Sequence, residues 1–387
     1  MIKALRGMKD IIEDKRFLKI FDTARKVAEN YGYGYIETPI LEESALFKRS
    51  VGESSDIVNK EMYQFIDKGG NDVCLRPEGT AGVVRSFIEH KFDRQGTPKR
   101  FWYFGPMFRY ERPQKGRLRE FHQFGIESFG EPGVYEDINV IALGADIFDA
   151  LGIDYTLKIN SLGCGECMPA YREKLVKFLN KHKENLCEDC QRRITQNPIR
   201  TLDCKVESCQ AILKEAPKIT DNLCKSCESD FEKLKNGLEN LGISYEIDKN
   251  LVRGLDYYTK TAFEFVSNEI GAQSAIAGGG RYDRLVEFLG GKPTPAVGFA
   301  IGVERILDLV KEDNERSGIY MGAMIEEAVP FIQKKAKELR SKGKVFIETK
   351  PKSLKAHLKA ADKGNFKKAL IAGEDELKKG TFFEKEL

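Results

Sequence analysis

The run FGPMFRYERPQKGRLREFHQFGIESFG, residues 104–130, decides most of what this chain can be. It crowds Arg109, Arg112, Lys115, Arg117 and Arg119 together and interleaves them with Phe108, Tyr110, Phe121 and Phe124. Cations bind phosphate, and aromatic faces stack on bases. Glu111, Glu120 and Glu127 stand among the cations, so this is not simply a basic tail. The run reads as a strand, a loop at Pro113, Gln114, Lys115 and Gly116, and a second strand over 118–129. Side chains alternate across a strand, so Gln123, Gly125 and Glu127 share one face and aim two polar groups at one pocket. A hairpin offering arginines and a ring to one ligand suits a nucleoside triphosphate. The plainer reading is a solvated charged hairpin on a nucleic-acid-binding surface.

Three further segments narrow the choice. Arg76-Pro77-Glu78-Gly79-Thr80 lies upstream, and LVRGLDYY, residues 251–258, lies well downstream. AGGGRYD, residues 277–283, is followed by VGFAIGVER, residues 297–305. In this order the segments resemble those of a class II aminoacyl-tRNA synthetase, most closely the histidyl-tRNA synthetase family. FRYERPQKGRLREFHQFG is similar to motif 2 of that class, and GFAIGVERI to motif 3. LVRGLDYYT resembles a signature particular to the histidyl enzymes. The resemblance runs from Gly7-Met8-Lys9-Asp10 to the C-terminal region.

What the resemblance implies is specific. The fold would be an α+β catalytic domain built on an antiparallel sheet of the class II synthetase type, with a helical insertion, followed by a small α/β C-terminal domain. The catalytic core would span 1–163 and 246–311, the insertion 164–245, a linker 312–317, and a tRNA (anticodon)-binding domain 318–387. The activity would be ATP-dependent ligation of L-histidine to tRNA(His) through a histidyl-adenylate, with Mg2+ accompanying ATP. Adenylation brings two anions together, so it needs cations already in place. Arg109 and Arg253 would supply them at the reacting carboxylate and α-phosphate. Glu111, Arg117, Phe121 and Arg305 would complete the ATP site, with Phe121 stacked on adenine and Arg305 on the γ-phosphate. Glu78, Gly79, Thr80 and Gln123 would receive the α-amino end of histidine. Glu127 and Tyr258, with Tyr257 beside them, would receive its imidazole, and Gln114 would touch tRNA. A carboxylate and a phenol can engage both ring nitrogens at once. His90, His122, His182 and His357 have no ligand or triad spacing.

The rest of the chain is consistent with this frame. A chain of 387 residues exceeds one ordinary core, so two or three domains are expected. Net charge is only +3, so an anionic partner must be met by local patches. No apolar run is long enough to span a bilayer, and MIKALRGMKD lacks a signal-peptide core, so a cytoplasmic protein is expected with no membrane partner. Apolar spacing predicts a helix over 17–30, and residues 35–39 begin an extended segment. The family forms homodimers through the segment 39–52. Leu41, Ala45, Leu46 and Phe47 there make an apolar face that a monomer would leave exposed. A helix is expected over 81–88, another over 135–151, and a third over 301–310, entered through glycines.

Eight of the nine cysteines lie between Cys164 and Cys227, with Cys74 the exception. Cys164/Cys167, Cys187/Cys190 and Cys224/Cys227 are CxxC pairs, and Cys204 and Cys209 complete the set. Paired CxxC units suit tetrahedral zinc, whereas reduced thiols can also serve as small packing residues. The family is not generally zinc-dependent, and both readings stand. Beyond 318, a strand–helix–strand–helix–strand pattern implies a largely parallel sheet. From Lys334 to Lys368 that region sets thirteen lysines and arginines against only Glu338, Glu348 and Asp362, which suits a polyanion. The family usually continues with another strand and helix, so this domain reads as clipped at its C-terminus. An alternative on the same fold is a catalytically inactive paralogue, the regulatory subunit of ATP phosphoribosyltransferase. Such paralogues lose site residues that are all present here.

Overall fold

A computed structural model of the chain describes residues 2–52, 55, 57–96, 98–204, 206–252, 257–273, 275–312 and 315–387. These fall into two compact units, Met1–Lys311 and Glu312–Leu387. The first is organised by an eight-stranded sheet. Its six central strands are antiparallel: Lys99–Phe108, Glu120–Phe129, Ala296–Gly302, Ala275–Arg281, Thr259–Val266 and Thr156–Ser161, in that spatial order. Short parallel strands, Gly34–Tyr35 and Tyr245–Ile247, close the two edges. The expected antiparallel catalytic sheet is therefore present.

Alternation decides what each sheet face does. Phe124 and Ile126 on one strand, and Val297, Phe299 and Ile301 on the next, point into the main core. There they meet the helices Lys15–Asn30, Val134–Leu151 and Lys225–Asn240. Val134–Leu151 is apolar nearly all round, as befits a helix buried between others. The opposite face carries Gln123, Gly125 and Glu127 and is left open by small residues. Gly125 pairs with Ala300, Ala300 with Gly278, and Gly278 with Glu264. That row has no bulky side chain until Glu264, so a hollow forms above it.

Two expectations change. The helix expected over 301–310 is reduced to one short turn of helix followed by turns, because its first two residues end a strand. Ala296–Gly302 is extended and Val303–Ile306 is helical. Its glycines fit the crowded sheet centre, where hydrogen bonds to strands on both sides outweigh local helix preference. A side chain on the facing Gly279 would collide with the carbonyl of Gly298. Second, Leu46 and Phe47 do not form an exposed apolar face. The helix Ser44–Val51 buries them within the chain against Val51, Cys74 and Ala81, leaving Leu41 and Ala45 outside. Exposed apolar groups occur instead at Ile40, Leu41, Phe65 and Ile66, on and beside the small sheet of Leu41–Glu43, Asp72–Leu75 and Tyr63–Ile66.

The cysteine-rich region is built from Cys167–Lys181, Glu188–Gln196, Glu207–Leu213 and intervening turns. The helix that follows, Lys225–Asn240, belongs to the main core through Phe231, Leu234 and Leu238. Gly237 lets it approach Ile138 closely. The second unit is a four-stranded sheet in the order Val345–Glu348, Ile319–Ala323, Lys368–Ala372, Phe383–Glu386. Its first three strands are parallel, connected by the helices Val329–Leu339 and Leu354–Lys363. The last strand is antiparallel and follows the helix Glu374–Lys379. His357 is a core residue here: its Nδ1 meets the Tyr320 hydroxyl at 2.9 Å and its Nε2 the Ala323 carbonyl at 2.9 Å.

Candidate active site

The hollow over the small-residue row is a cavity of about 180 Å³. Its wall holds Glu78, Thr80, Arg109, Glu111, Arg117, Phe121, Gln123, Tyr257, Tyr258 and Arg305 from the expected site, with Glu264 and Glu304 in addition. Segments far apart in sequence reach one place because the hairpin, the strand Ala296–Gly302 and the start of the helix Thr80–Glu89 converge there.

The cationic end is pre-arranged. Arg109 donates from Nε to the Pro77 carbonyl at 2.9 Å, and its guanidinium lies 5.3 Å from the centre of the Phe121 ring. Arg117 pairs with Glu111, whose other oxygen is 3.9 Å from Arg109. Arg305 donates to the Ala275 carbonyl at 2.8 Å, with Gly116 and Gly302 giving it room. Glu304 accepts from the His122 backbone N–H at 2.8 Å and bonds its ring Nδ1 at 2.9 Å. His122 thus ties motif 3 to the hairpin from outside the expected ligand groups.

The acidic end is buried. Glu78 caps the helix Thr80–Glu89, accepting from the N–H of Thr80 at 2.6 Å and of Ala81 at 2.9 Å. Burial raises its pKa from the ordinary carboxylate value, partly offset by these bonds. Arg76, two residues before, is itself buried and bonds the Thr38 and Pro106 carbonyls at 2.7 and 2.9 Å, fixing the segment. Gly79 is required because the Tyr103 ring lies directly against it. Among the described residues, the Gln123 Oε1 and the Tyr257 hydroxyl are buried without a hydrogen-bond partner. Buried polar atoms left so are natural seats for a ligand's polar groups.

Glu127 differs from expectation in its surroundings. It lies beneath the cavity, 1% exposed, behind Thr80. Thr80 donates to its Oε1 at 2.7 Å, the Tyr282 hydroxyl donates to its Oε2, and Tyr103 lies 3.5 Å away. Tyr258 instead packs on Tyr257, ring centres 4.7 Å apart, and edge-on to Tyr282. Reading the sequence missed Tyr103 and Tyr282. Tyr103 sits opposite Gly125 in the hairpin register, and Tyr282 belongs to the AGGGRYD segment itself. Burial pushes the phenols of Tyr103, Tyr257 and Tyr282 up, so they stay donors. Gln114 is not on this wall. It pairs with Arg117 across the loop and lines a separate surface hollow with residues 5–12 and Asp14. Arg253 lies outside the described residues.

Burial raises the Glu127 pKa to about 8, with nearby Glu78 adding to the shift and the hydroxyl donors opposing it. The folded chain therefore keeps this proton above the ordinary carboxylate value, where the unfolded chain has lost it. Stability from this group is complete at low pH and falls as pH rises toward 8. Denaturant titrations at steps from pH 5 to 8 should show wild-type stability dropping relative to Glu127→Gln by up to about 1.4 kcal/mol per pH unit. Parallel curves for the two proteins would mean Glu127 is ionised throughout.

A family model described as histidyl-tRNA synthetase matches residues 12–306. The histidine--tRNA ligase of a Sulfurovum species is 64% identical, covering 100% of this chain and 97% of its own length. That of Sulfurimonas denitrificans is 62% identical over 100% and 97%. Among solved structures, apo Staphylococcus aureus histidyl-tRNA synthetase superposes with a TM-score of 0.81 at 34% identity, covering 100% of this chain and 97% of that one.

Proposed function

The chain belongs to the histidyl-tRNA synthetase family, and from that premise we propose that it activates L-histidine with ATP in this cavity and transfers it to tRNA(His). The observation that carries the reading is one wall holding Arg109, Arg117 and Arg305 at one end and the buried carboxylate of Glu78 at the other, with Glu127 buried beneath it. The regulatory-subunit alternative is not favoured, because the relatives at 62% and 64% identity over the full chain are histidine--tRNA ligases.

In the first step a carboxylate oxygen of histidine attacks the α-phosphorus of ATP. The bond to the bridging oxygen breaks and pyrophosphate leaves. Arg109 holds the α-phosphate and the reacting carboxylate, where the planar guanidinium fork meets two oxygens at once. Arg305 and Arg117 hold the outer phosphates, and Phe121 flanks the adenine. Magnesium bound with the triphosphate would add charge at the phosphate oxygens. Of the carboxylates on the same wall, Glu264 and Glu304 are the residues that would hold it, since Glu78 caps a helix and Glu111 pairs with Arg117. The histidine ammonium meets Glu78, Thr80 and Gln123. Its imidazole meets Glu127 and Tyr258, with Thr80 and Tyr282 fixing the carboxyl group. In the second step a terminal ribose hydroxyl of tRNA attacks the activated carbonyl and AMP leaves. Transfer of labelled histidine to tRNA(His), but not to other tRNAs, tests this reading. Absence of charging by folded protein with saturating ATP would contradict it.

The basic region of the second unit would receive tRNA. Lys334 and Lys337 lie exposed on the helix Val329–Leu339. Phosphate contacts act without regard to base sequence and weaken with salt. The double change Lys334→Glu and Lys337→Glu should raise the tRNA KM about tenfold, at roughly 1 kcal/mol or less per lost contact, and leave histidine-dependent pyrophosphate exchange unchanged. An unaltered tRNA KM would move the tRNA site elsewhere.

The exposed Ile40, Leu41, Phe65 and Ile66 support assembly into a homodimer through this small sheet, where one patch meets its own copy across a two-fold axis. One charge placed there is repeated on the partner. Leu41→Asp should give monomers in sedimentation with exchange activity reduced about tenfold or more, by loss of the ordering contact. A fully active monomer would separate assembly from activity.

A further inference from the structure

The eight thiols of the cysteine-rich region gather into two groups of four. Cys164, Cys167, Cys224 and Cys227 form one, and Cys187, Cys190, Cys204 and Cys209 the other. Within each group all four Sγ atoms lie within 4.8 Å of one another. Cys164 Sγ is 3.8 Å from both Cys167 and Cys224, and Cys187 Sγ is 3.8 Å from Cys204. All nine cysteines are free of disulfides. We propose that the chain holds two structural zinc ions, one in each of these four-cysteine sites.

The spacing carries the assignment. Four thiolates bound tetrahedrally to one ion with Zn–S near 2.3 Å stand about 3.8 Å apart. A disulfide needs its sulfurs about 2.05 Å apart. An iron–sulfur cluster interposes sulfide and several irons, so its cysteines stand farther apart than around a single ion. Thiols serving only as small packing residues have no reason to meet four at a time, twice, to the exclusion of the leucines and isoleucines around them. Backbone donors are also aimed as a thiolate site requires. The Cys224 N–H points at Cys167 Sγ and the Cys187 N–H at Cys209 Sγ, both at 3.1 Å. Such N–H···S bonds orient the ligands and spread their charge.

The pairing also explains why this region folds. Five of its thirteen buried core residues are cysteines, so its apolar core is thin for a region of this length. One ion joins residues 164–167 to 224–227, clamping the start of the region to its end. The other is nested inside, joining 187–190 to 204–209. The outer site adjoins the catalytic sheet. Leu162 donates to the Lys260 carbonyl at 2.6 Å, and Lys260 donates back to the Gly163 carbonyl at 2.7 Å, just before Cys164. Lys260 lies two residues past Tyr258, so the outer ion anchors the base of the segment that brings Tyr257 and Tyr258 to the cavity. On binding, each site takes up Zn2+ and releases its four thiol protons to solvent, so occupancy falls with falling pH.

The test is metal analysis of the full chain, made without a polyhistidine tag from zinc-replete cells and kept reduced without chelator. The expected result is two zinc ions per chain. One ion, none, or iron in place of zinc would overturn the assignment. Cys190→Ser should lower the content from two to one, Cys227→Ser likewise, and the two together to none. Two ions retained by Cys190→Ser would refute the pairing. Should the variants fail to fold, titrating the wild-type chain with an organomercurial decides instead. Zinc should leave in step with four thiols per ion and eight in all, and release out of proportion to thiols modified would overturn the proposal.

Discussion

Replacing Arg109 by alanine should slow histidine-dependent ATP–pyrophosphate exchange by about 10²–10³-fold, some 2.7–4 kcal/mol of transition-state stabilisation, the loss typical of removing one preplaced donor from developing charge. Negative charge grows on the α-phosphate as the carboxylate attacks, and in the proposed reading Arg109 is the guanidinium that meets it. Its bond to Pro77 and its position over Phe121 fix it before substrate arrives, so little reorganisation is needed. ATP affinity should fall much less, because Arg117 and Arg305 still line the cavity. A fall confined to turnover marks an interaction made mainly in the transition state. Arg109→Lys should recover only part of the rate, since an ammonium cannot span two oxygens. Near-native exchange by Arg109→Ala would remove it from the mechanism.

The second large effect concerns the scaffold. Arg281 and Asp137 are each 1% exposed in their side chains and bond one another through Nε at 2.9 Å and through Nη2. Asp137 also accepts from Thr261 at 2.5 Å, and Arg281 donates to the carbonyls of Glu131 and Gly133 at 2.9 Å each. The pair ties the start of the helix Val134–Leu151 to the sheet beside the AGGGRYD segment. Burial raises the Asp137 pKa and the adjacent guanidinium opposes the shift. Arg281→Met leaves a buried carboxylate without its cation and should cost about 3–5 kcal/mol. Adding Asp137→Asn should restore part of that loss, because the penalty is the stranded charge rather than the missing contact. Denaturant unfolding of both single variants and the double variant measures it. Additive losses would mean the two residues act independently.

What could be read from the sequence depended on how local the determining physics was. The hairpin was legible because alternation over 120–129 is a property of consecutive residues, and the shared sheet face of Gln123, Gly125 and Glu127 followed from it. The strand Ala296–Gly302 was not, because a glycine-rich run resembles a turn until its two neighbouring strands are known. The surroundings of Glu127 were hidden for the same reason. Tyr282 is 155 residues away, and only the register through Gly298 and Gly280 brings it near. Phe47 looked like an interface residue because an apolar helical face is the same in sequence whether it meets a partner or its own sheet. The cysteines were evident as a group. Their division was not, because the outer four come from opposite ends of the region and only the folded chain pairs them.

In the proposed function, one cavity selects histidine and joins it to AMP. The most direct measurement is ATP–pyrophosphate exchange by the full chain, with each of the twenty amino acids supplied in turn. Exchange is expected with histidine, and only background with the others. By the proposed reading Glu127 and Tyr258 would lose their partners when the imidazole is missing, and buried groups left unpaired reject such analogues strongly. Exchange driven equally well by another amino acid, or none with histidine, would contradict it.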